Sequence, residues 1–257
     1  MTPPELRALA ESVAREAGAR LLEAFAGPAT GVEAKSTPTD LVSAADQGAE
    51  ALIRSRLAAA RPDDGFLGEE GGDEAGSSGL RWIVDPLDGT TNFLFGIPQW
   101  AVSIAVEDAG GVLAGAVYDP PRGQLWSAER DGPALLDGEP VRGSGRTELA
   151  TALIATGFGY DADVRRAQAV AIAGLLPDVR DVRRFGAAAL DLAWTAAGRY
   201  DAYFERGVQR WDVAAGALMC ERAGLVVERL PEAPPQGDGI LVATPALVDE
   251  LRSRLVA

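Results

Sequence analysis

Three acidic segments hold the chemistry this chain could perform. Gly68-Glu69-Glu70 sets two carboxylates directly after an apolar run. Asp85-Pro86-Leu87-Asp88-Gly89-Thr90-Thr91-Asn92-Phe93 adds two more, and Trp211-Asp212-Val213-Ala214-Ala215-Gly216 places another at a helix start. Pro86 drives Asp85 out of the helical region, so the strand Trp82 to Val84 is expected to end there and to free the Leu87 carbonyl from ladder duty. Carboxylates joined by a loop carbonyl suit a hard, oxygen-loving cation, Mg²⁺ first and Mn²⁺ second. Gly89 allows close approach of backbone to ligand, and Thr90-Thr91 can open a short helix whose free N–H groups face an anion. Each piece taken alone also has a purely structural explanation. Asp-Pro-x-Asp-Gly is a turn signature, Glu69 and Glu70 suit an exposed loop, Asp212 suits a helix N-cap, and Ser43-Ala44-Ala45-Asp46 reads as a capping box.

Composition narrows the chemistry further. The chain has no histidine and one cysteine, Cys220. A Ser-His-Asp relay, His-ligated zinc, a thiolate cage and an internal disulfide are thereby excluded, leaving carboxylates, hydroxyls, lysine and metal. With 24 basic against 38 acidic residues the formal charge is −14, which disfavours nucleic-acid backbones and anionic membranes as partners. A protein this negative handles an anion by way of bound cations. No apolar run approaches the roughly 20 residues of a membrane span. Met1-Thr2-Pro3-Pro4-Glu5 lacks a basic region ahead of an apolar stretch, so a cytoplasmic, reducing setting with a buried Cys220 is expected.

The elements that must position these groups follow from local pattern. The 257 residues, 47% hydrophobic, are ample for a sizeable core. Thr2-Pro3-Pro4-Glu5 starts an amphipathic helix carrying Leu6, Leu9, Val13, Ala17, Leu21 and Phe25, which Gly27-Pro28 closes. Ala29 to Pro38, with Lys35, reads as a mobile loop or irregular hairpin, and a second helix runs from near Ser43 to about Ala60. Phe66-Leu67 and Arg81 to Val84 read as strands joined by a glycine-rich loop, and Trp100 to Ser127 reads as an antiparallel meander. After Gly143 helices and strands alternate: strands near 153–156, 179–184, 201–205, 225–228 and 240–243, helices near 163–176, 186–197 and 213–223, and a last helix capped by Thr244-Pro245. The outcome is an α/β layered architecture, with a boundary near 143–150 between subdomains 1–145 and 146–257. Acids at strand ends and helix starts can then meet where such folds gather their functional loops.

Taken together, the three acidic segments resemble the signatures of the inositol monophosphatase family. The similarity also runs through Lys35 and Asp40 to Asp46, through Gly186-Ala187-Ala188-Ala189 and through Asp201 to Glu205. The resemblance implies an α-β-α-β-α sandwich of the type shared with fructose-1,6-bisphosphatase, usually dimeric, that hydrolyses small phosphate monoesters with Mg²⁺ and is often Li⁺-sensitive. It further implies that Glu69, Asp85 and the Leu87 carbonyl hold one Mg²⁺ while Asp85, Asp88 and Asp212 hold a second. Glu69 would help hold a weaker third ion. Asp46 and Thr90 would polarise the attacking water, and Glu69 would count with them among the catalytic residues. The Gly89 and Thr90 N–H groups would hold the phosphate, with Ala188, Asp88, Asp212 and Glu205 against the substrate. Thr91-Asn92-Phe93 resembles the inositol-phosphate branch. Related enzymes take fructose 1,6-bisphosphate, nucleotide, NADP or histidinol phosphates, and some bacterial relatives act as protein-binding factors in transcription.

Overall fold

The computed structural model describes residues 1–27, 30–35, 37 and 41–255. Pro28, Ala29, Ser36, Pro38 and Asp40, on which parts of the loop reading and of the resemblance rest, lie outside the described residues. Along the chain come α1 (Pro3–Phe25), β1 (Glu33–Ala34), β2 (Leu41–Val42), α2 (Ala44–Ala60), β3 (Gly65–Gly68), β4 (Gly72–Glu74), β5 (Arg81–Asp88), α3 (Thr90–Leu94), β6 (Ala101–Asp108), β7 (Gly111–Asp119), β8 (Gln124–Glu129), β9 (Leu135–Leu136) and β10 (Glu139–Pro140). Then follow β11 (Leu153–Thr156), α4 (Ala162–Leu175), β12 (Asp181–Arg183), α5 (Ala188–Ala196), β13 (Ala202–Arg206), α6 (Arg210–Arg222), β14 (Val226–Leu230), β15 (Gly239–Ala243) and α7 (Val248–Leu255).

These elements stack in five layers. α1 and α2 cover one face of an eight-stranded sheet ordered β10-β9-β8-β7-β6-β5-β3-β4. α5 and α6 fill the space between that sheet and a five-stranded one ordered β12-β11-β13-β15-β14, whose far side carries α4 and α7. Three apolar cores fill the four interlayer spaces, the largest reaching from the first sheet through α5 and α6 to the second. α1 shows why the outer layer forms. Pro4 follows Pro3 in its first turn, the Glu5 carboxylate accepts the Thr2 N–H at 2.7 Å, and Leu6, Ala10, Val13, Ala17 and Leu21 recur on its buried face. Each fully buried leucine there contributes about 1.5–3 kcal/mol.

Two local expectations are corrected. The strand does not stop at Asp85. β5 continues to Asp88, and the register against β6 shifts between Asp85 and Asp88, a bulge that accommodates Pro86 without its missing N–H. The supposed glycine-rich loop after β3 contains the short strand β4, antiparallel to β3. Cys220 is fully buried on α6, where its thiol faces the Leu192 carbonyl at 3.2 Å and burial pushes its pKa up.

Candidate active site

The site forms where the C-terminal ends of β3 and β5 meet the starts of α3, α5 and α6. The strand ends supply acids. Glu69 follows β3, and Asp85, Leu87 and Asp88 lie along the bulged end of β5. Gly89 then turns the chain with φ +94° into α3, and a Cβ there would stand 2.9 Å from the Gln99 carbonyl oxygen, so only glycine fits the turn. Asp212 enters from the other half of the chain at the third position of α6, not at its N-cap. Gln209 occupies the cap, and the Asp212 carboxylate accepts its backbone N–H at 2.6 Å.

Glu69, Asp85, Leu87, Asp88, Gly89, Thr90, Ala188, Glu205 and Asp212 all line one cleft of about 620 Å³. Asp46 alone among the expected residues does not. It is fully buried at the start of α2, where Ser43 caps the helix through backbone N–H (2.9 Å) and hydroxyl bonds to Asp46 Oδ2. It reaches the cleft through Thr90, whose Oγ1 lies 2.8 Å from Asp46 Oδ1 and 3.0 Å from the Leu87 carbonyl. A hydroxyl has one proton to share between those acceptors, so its lone pairs are left to face the cleft. Burial raises the Asp46 pKa, against the pull of the Ser43 and Thr90 hydrogen bonds.

The acidic wall is electrostatically strained. Burial, then the charges of Glu69, Asp88 and Asp212, holds the Asp85 carboxyl well above the usual range. Burial likewise raises Asp212, with Asp88 and Glu69 adding to it. Asp88 is pushed up to about 7, chiefly by burial, although the Ala189 and Ala188 N–H groups at the start of α5 donate to it at 2.7 and 3.1 Å and pull the other way. Those two bonds tie the β5 end to the middle helical layer.

An all-oxygen donor set with surplus negative charge fits a divalent cation. Among the described residues, no three acidic side chains already stand together as a finished cage for one ion.

Several contacts around these residues escaped the sequence reading. The Lys35 ammonium donates to Glu69 Oε1 at 2.8 Å and to Glu70, and although burial opposes it, these two acids raise its pKa. Arg184 lines the cleft with its guanidinium over the Phe158 ring at 5.7 Å. Glu205, raised by burial, accepts the Tyr203 hydroxyl at 2.8 Å. Only that last contact had a local signal, since residues two apart on a strand share a side.

The sequence profile of the inositol monophosphatase family matches residues 3–255. The chain belongs to the inositol monophosphatase family. An inositol-1-monophosphatase SuhB of Mycobacterium tuberculosis is 46% identical to it across 98% of this chain and 94% of that protein. A Nus factor SuhB of Xylella fastidiosa is 44% identical across 72% of this chain and 67% of its own. The crystal structure of the extragenic suppressor protein suhB from Bartonella henselae shares the fold at a TM-score of 0.90, with 37% identity and 98% of each chain covered. This inositol monophosphatase family member is therefore a phosphatase with the layered sandwich that its sequence implied. No helix among its described residues is long and apolar enough to cross a membrane.

Proposed function

We propose that this chain hydrolyses myo-inositol 1-phosphate and similar polyol monophosphates to free polyol and phosphate, with Mg²⁺ as its ion. The observation that carries the reading is the convergence of Glu69, Asp85, Asp88, Asp212 and the Leu87 carbonyl, from three distant segments, on one cleft that Glu205 also lines. Glu69, Asp85 and the Leu87 carbonyl would hold one ion, and Asp85, Asp88 and Asp212 a second. Bound there, the ions supply Lewis-acid stabilisation of phosphoryl charge and make water a better nucleophile.

The chain's own groups do the rest. The Gly89 and Thr90 N–H groups, at the first turn of α3, hold the phosphoryl oxygens. Thr90 Oγ1 accepts a proton of the attacking water while its own proton leans toward Asp46 Oδ1, and the raised pKa of Asp46 suits it to receive one. Ala188, at the start of α5 and also in the cleft lining, bounds the polyol, and Glu205 accepts bonds from its hydroxyls. Subdomains 1–145 and 146–257 divide this work: strands of the first sheet end at Pro140, those of the second begin at Leu153, and Asp212 and Glu205 come from the second. A cytoplasmic setting accords with the single buried thiol.

A substrate panel scored by phosphate release tests the reading. With Mg²⁺, inositol 1-phosphate is expected to outrun fructose 1,6-bisphosphate, nucleotide and histidinol phosphates, and chelation should abolish turnover. Glu205→Gln should lower kcat/KM for inositol 1-phosphate by about 1–3 kcal/mol, the scale of one hydrogen bond to a charged group, and hardly touch a simple ester. Full activity in chelator would refute the metal reading, and equal losses on both esters would mean that Glu205 does not read the polyol. The Nus factor relative supports a second reading, a protein-binding role in transcription, which takes precedence if no member of the panel is turned over.

We also infer a homodimer. Phe95, Ile97 and Phe185 are 72%, 48% and 40% exposed. The Asn92 amide ties their loops together by donating to the Gln99 and Phe185 carbonyls at 2.8 and 2.7 Å. Apolar side chains held out this way match a surface that a second copy covers. Sedimentation at micromolar concentration should give a dimer, and Phe95→Glu should shift it toward monomer; a monomeric parent protein would overturn this.

A further inference from the structure

Glu205 is gripped as well as placed. Tyr203 and Glu205 lie two apart on β13 and project to the same side, and the fully buried Tyr203 ring brings its hydroxyl to 2.8 Å from Glu205 Oε2. Burial, then the charge of Glu205, pushes the phenol pKa far up, so this hydroxyl stays a donor at working pH. Gly157 bounds the carboxylate from the neighbouring chain segment, just past the end of β11, which runs parallel to β13. A Cβ at Gly157 would stand 2.0 Å from Glu205 Oε2 and 2.2 Å from Cδ, so the carboxylate occupies space that only glycine leaves open. The positive charge of Arg184 acts on the same acid.

We propose that Tyr203 is a positioning residue for specificity, holding the Glu205 carboxylate in the one orientation that meets the hydroxyls of a polyol substrate, with Gly157 as the clearance that orientation requires. The proposal deepens the polyol reading above and rests on it. Without the phenol hydroxyl, Glu205 keeps its charge but loses its anchor, and a substrate hydroxyl meets an acceptor spread over several rotamers. The cost falls on recognition of the alcohol part of the ester. Groups that act on phosphorus are untouched.

Tyr203→Phe retains the buried ring and so the packing of β13. Its kcat/KM for inositol 1-phosphate is expected to fall by about threefold to tenfold, chiefly through KM, with phenyl phosphate turnover unchanged. The double variant Tyr203→Phe/Glu205→Gln should be no worse on inositol 1-phosphate than Glu205→Gln alone, because Tyr203 acts only through the acid. Losses that multiply, or an equal loss on phenyl phosphate, would overturn the proposal. A crystal structure of Tyr203→Phe supplies a readout independent of substrate: a rotated or disordered Glu205 side chain supports the proposal, and an unmoved one overturns it. If the parent protein shows no preference for inositol 1-phosphate, the polyol reading fails by itself, and the crystallographic arm still decides whether Tyr203 positions Glu205.

Discussion

Asp212→Asn is expected to lower kcat by about 10²–10³-fold, the scale on which a pre-placed electrostatic group acts in the transition state, while raising the thermal midpoint of the chelated protein. Both effects have one origin. Asp212 is half-buried in the cleft wall, and desolvation there together with Asp88, Glu69 and Glu205 lifts its pKa, opposed by the Gln209 N–H. A carboxylate whose folded-state pKa is raised favours the folded state below the unfolded value near 4, and loses that advantage as pH climbs through the folded value. Asp88, raised to about 7, follows the same rule, so the metal-free protein should lose stability between roughly pH 4 and pH 7. Asparagine at 212 removes one charge yet keeps an acceptor for the Gln209 N–H, which the carboxylate now takes at 2.6 Å. At about 2–4 °C per kcal/mol for a chain of this size, relief of the repulsion should appear as a rise of a few degrees at pH 8 in chelator. Asp88→Asn is a poorer probe, because its amide would present N–H to one of the two N–H donors of Ala188 and Ala189. Near-normal turnover in Asp212→Asn would remove Asp212 from the metal-holding set. A lowered midpoint in chelator would show that its charge does not strain the fold.

The features that local chemistry specifies were legible in the sequence. Ser43 and Asp46 form the capping box that their spacing announced, and 153–156 is a strand as read. The acids share a cleft because each follows a strand or opens a helix, and the layered topology brings those ends together. What misled the reading was a local signal overridden by its surroundings. Pro86 breaks a ladder in general, but here the bulge keeps both flanks paired with β6, so β5 runs on to Asp88. Asp212 has a side chain typical of an N-cap, yet Gln209, a weaker cap former, holds that position, and α6 begins earlier. Contacts across long stretches of chain had no local signal. The α5 N–H groups that hold Asp88 lie a hundred residues from it, and Lys35 meets Glu69 across thirty-four. The buried Asp191 lies in the same helix as those N–H groups, and its pattern in α5 gave no reason to expect a buried acid.

Thr90→Ala should lower kcat by about 10²–10³-fold with little change in KM, within the range a positioned proton acceptor contributes. Thr90 lies where three chain segments meet: its backbone opens α3, and its hydroxyl joins Asp46 of α2 to the Leu87 carbonyl of β5. Alanine keeps the backbone N–H that faces phosphate and is small enough for a residue only 8% exposed, so binding in the ground state should persist. It removes the one oxygen that can accept a proton from water while passing its own to Asp46. Thr90→Ser restores that oxygen and should recover most of the lost rate, which a defect of packing at the missing methyl would not allow. Asp46→Asn should then resemble Thr90→Ala in kcat, because an amide oxygen accepts the Thr90 hydrogen bond but is too weak a base to take the proton. If Thr90→Ala raises KM at unchanged kcat, the hydroxyl binds substrate and does not orient water. If Asp46→Asn is silent while Thr90→Ala is crippled, the proton stays with Thr90, and the buried carboxylate serves only to cap α2.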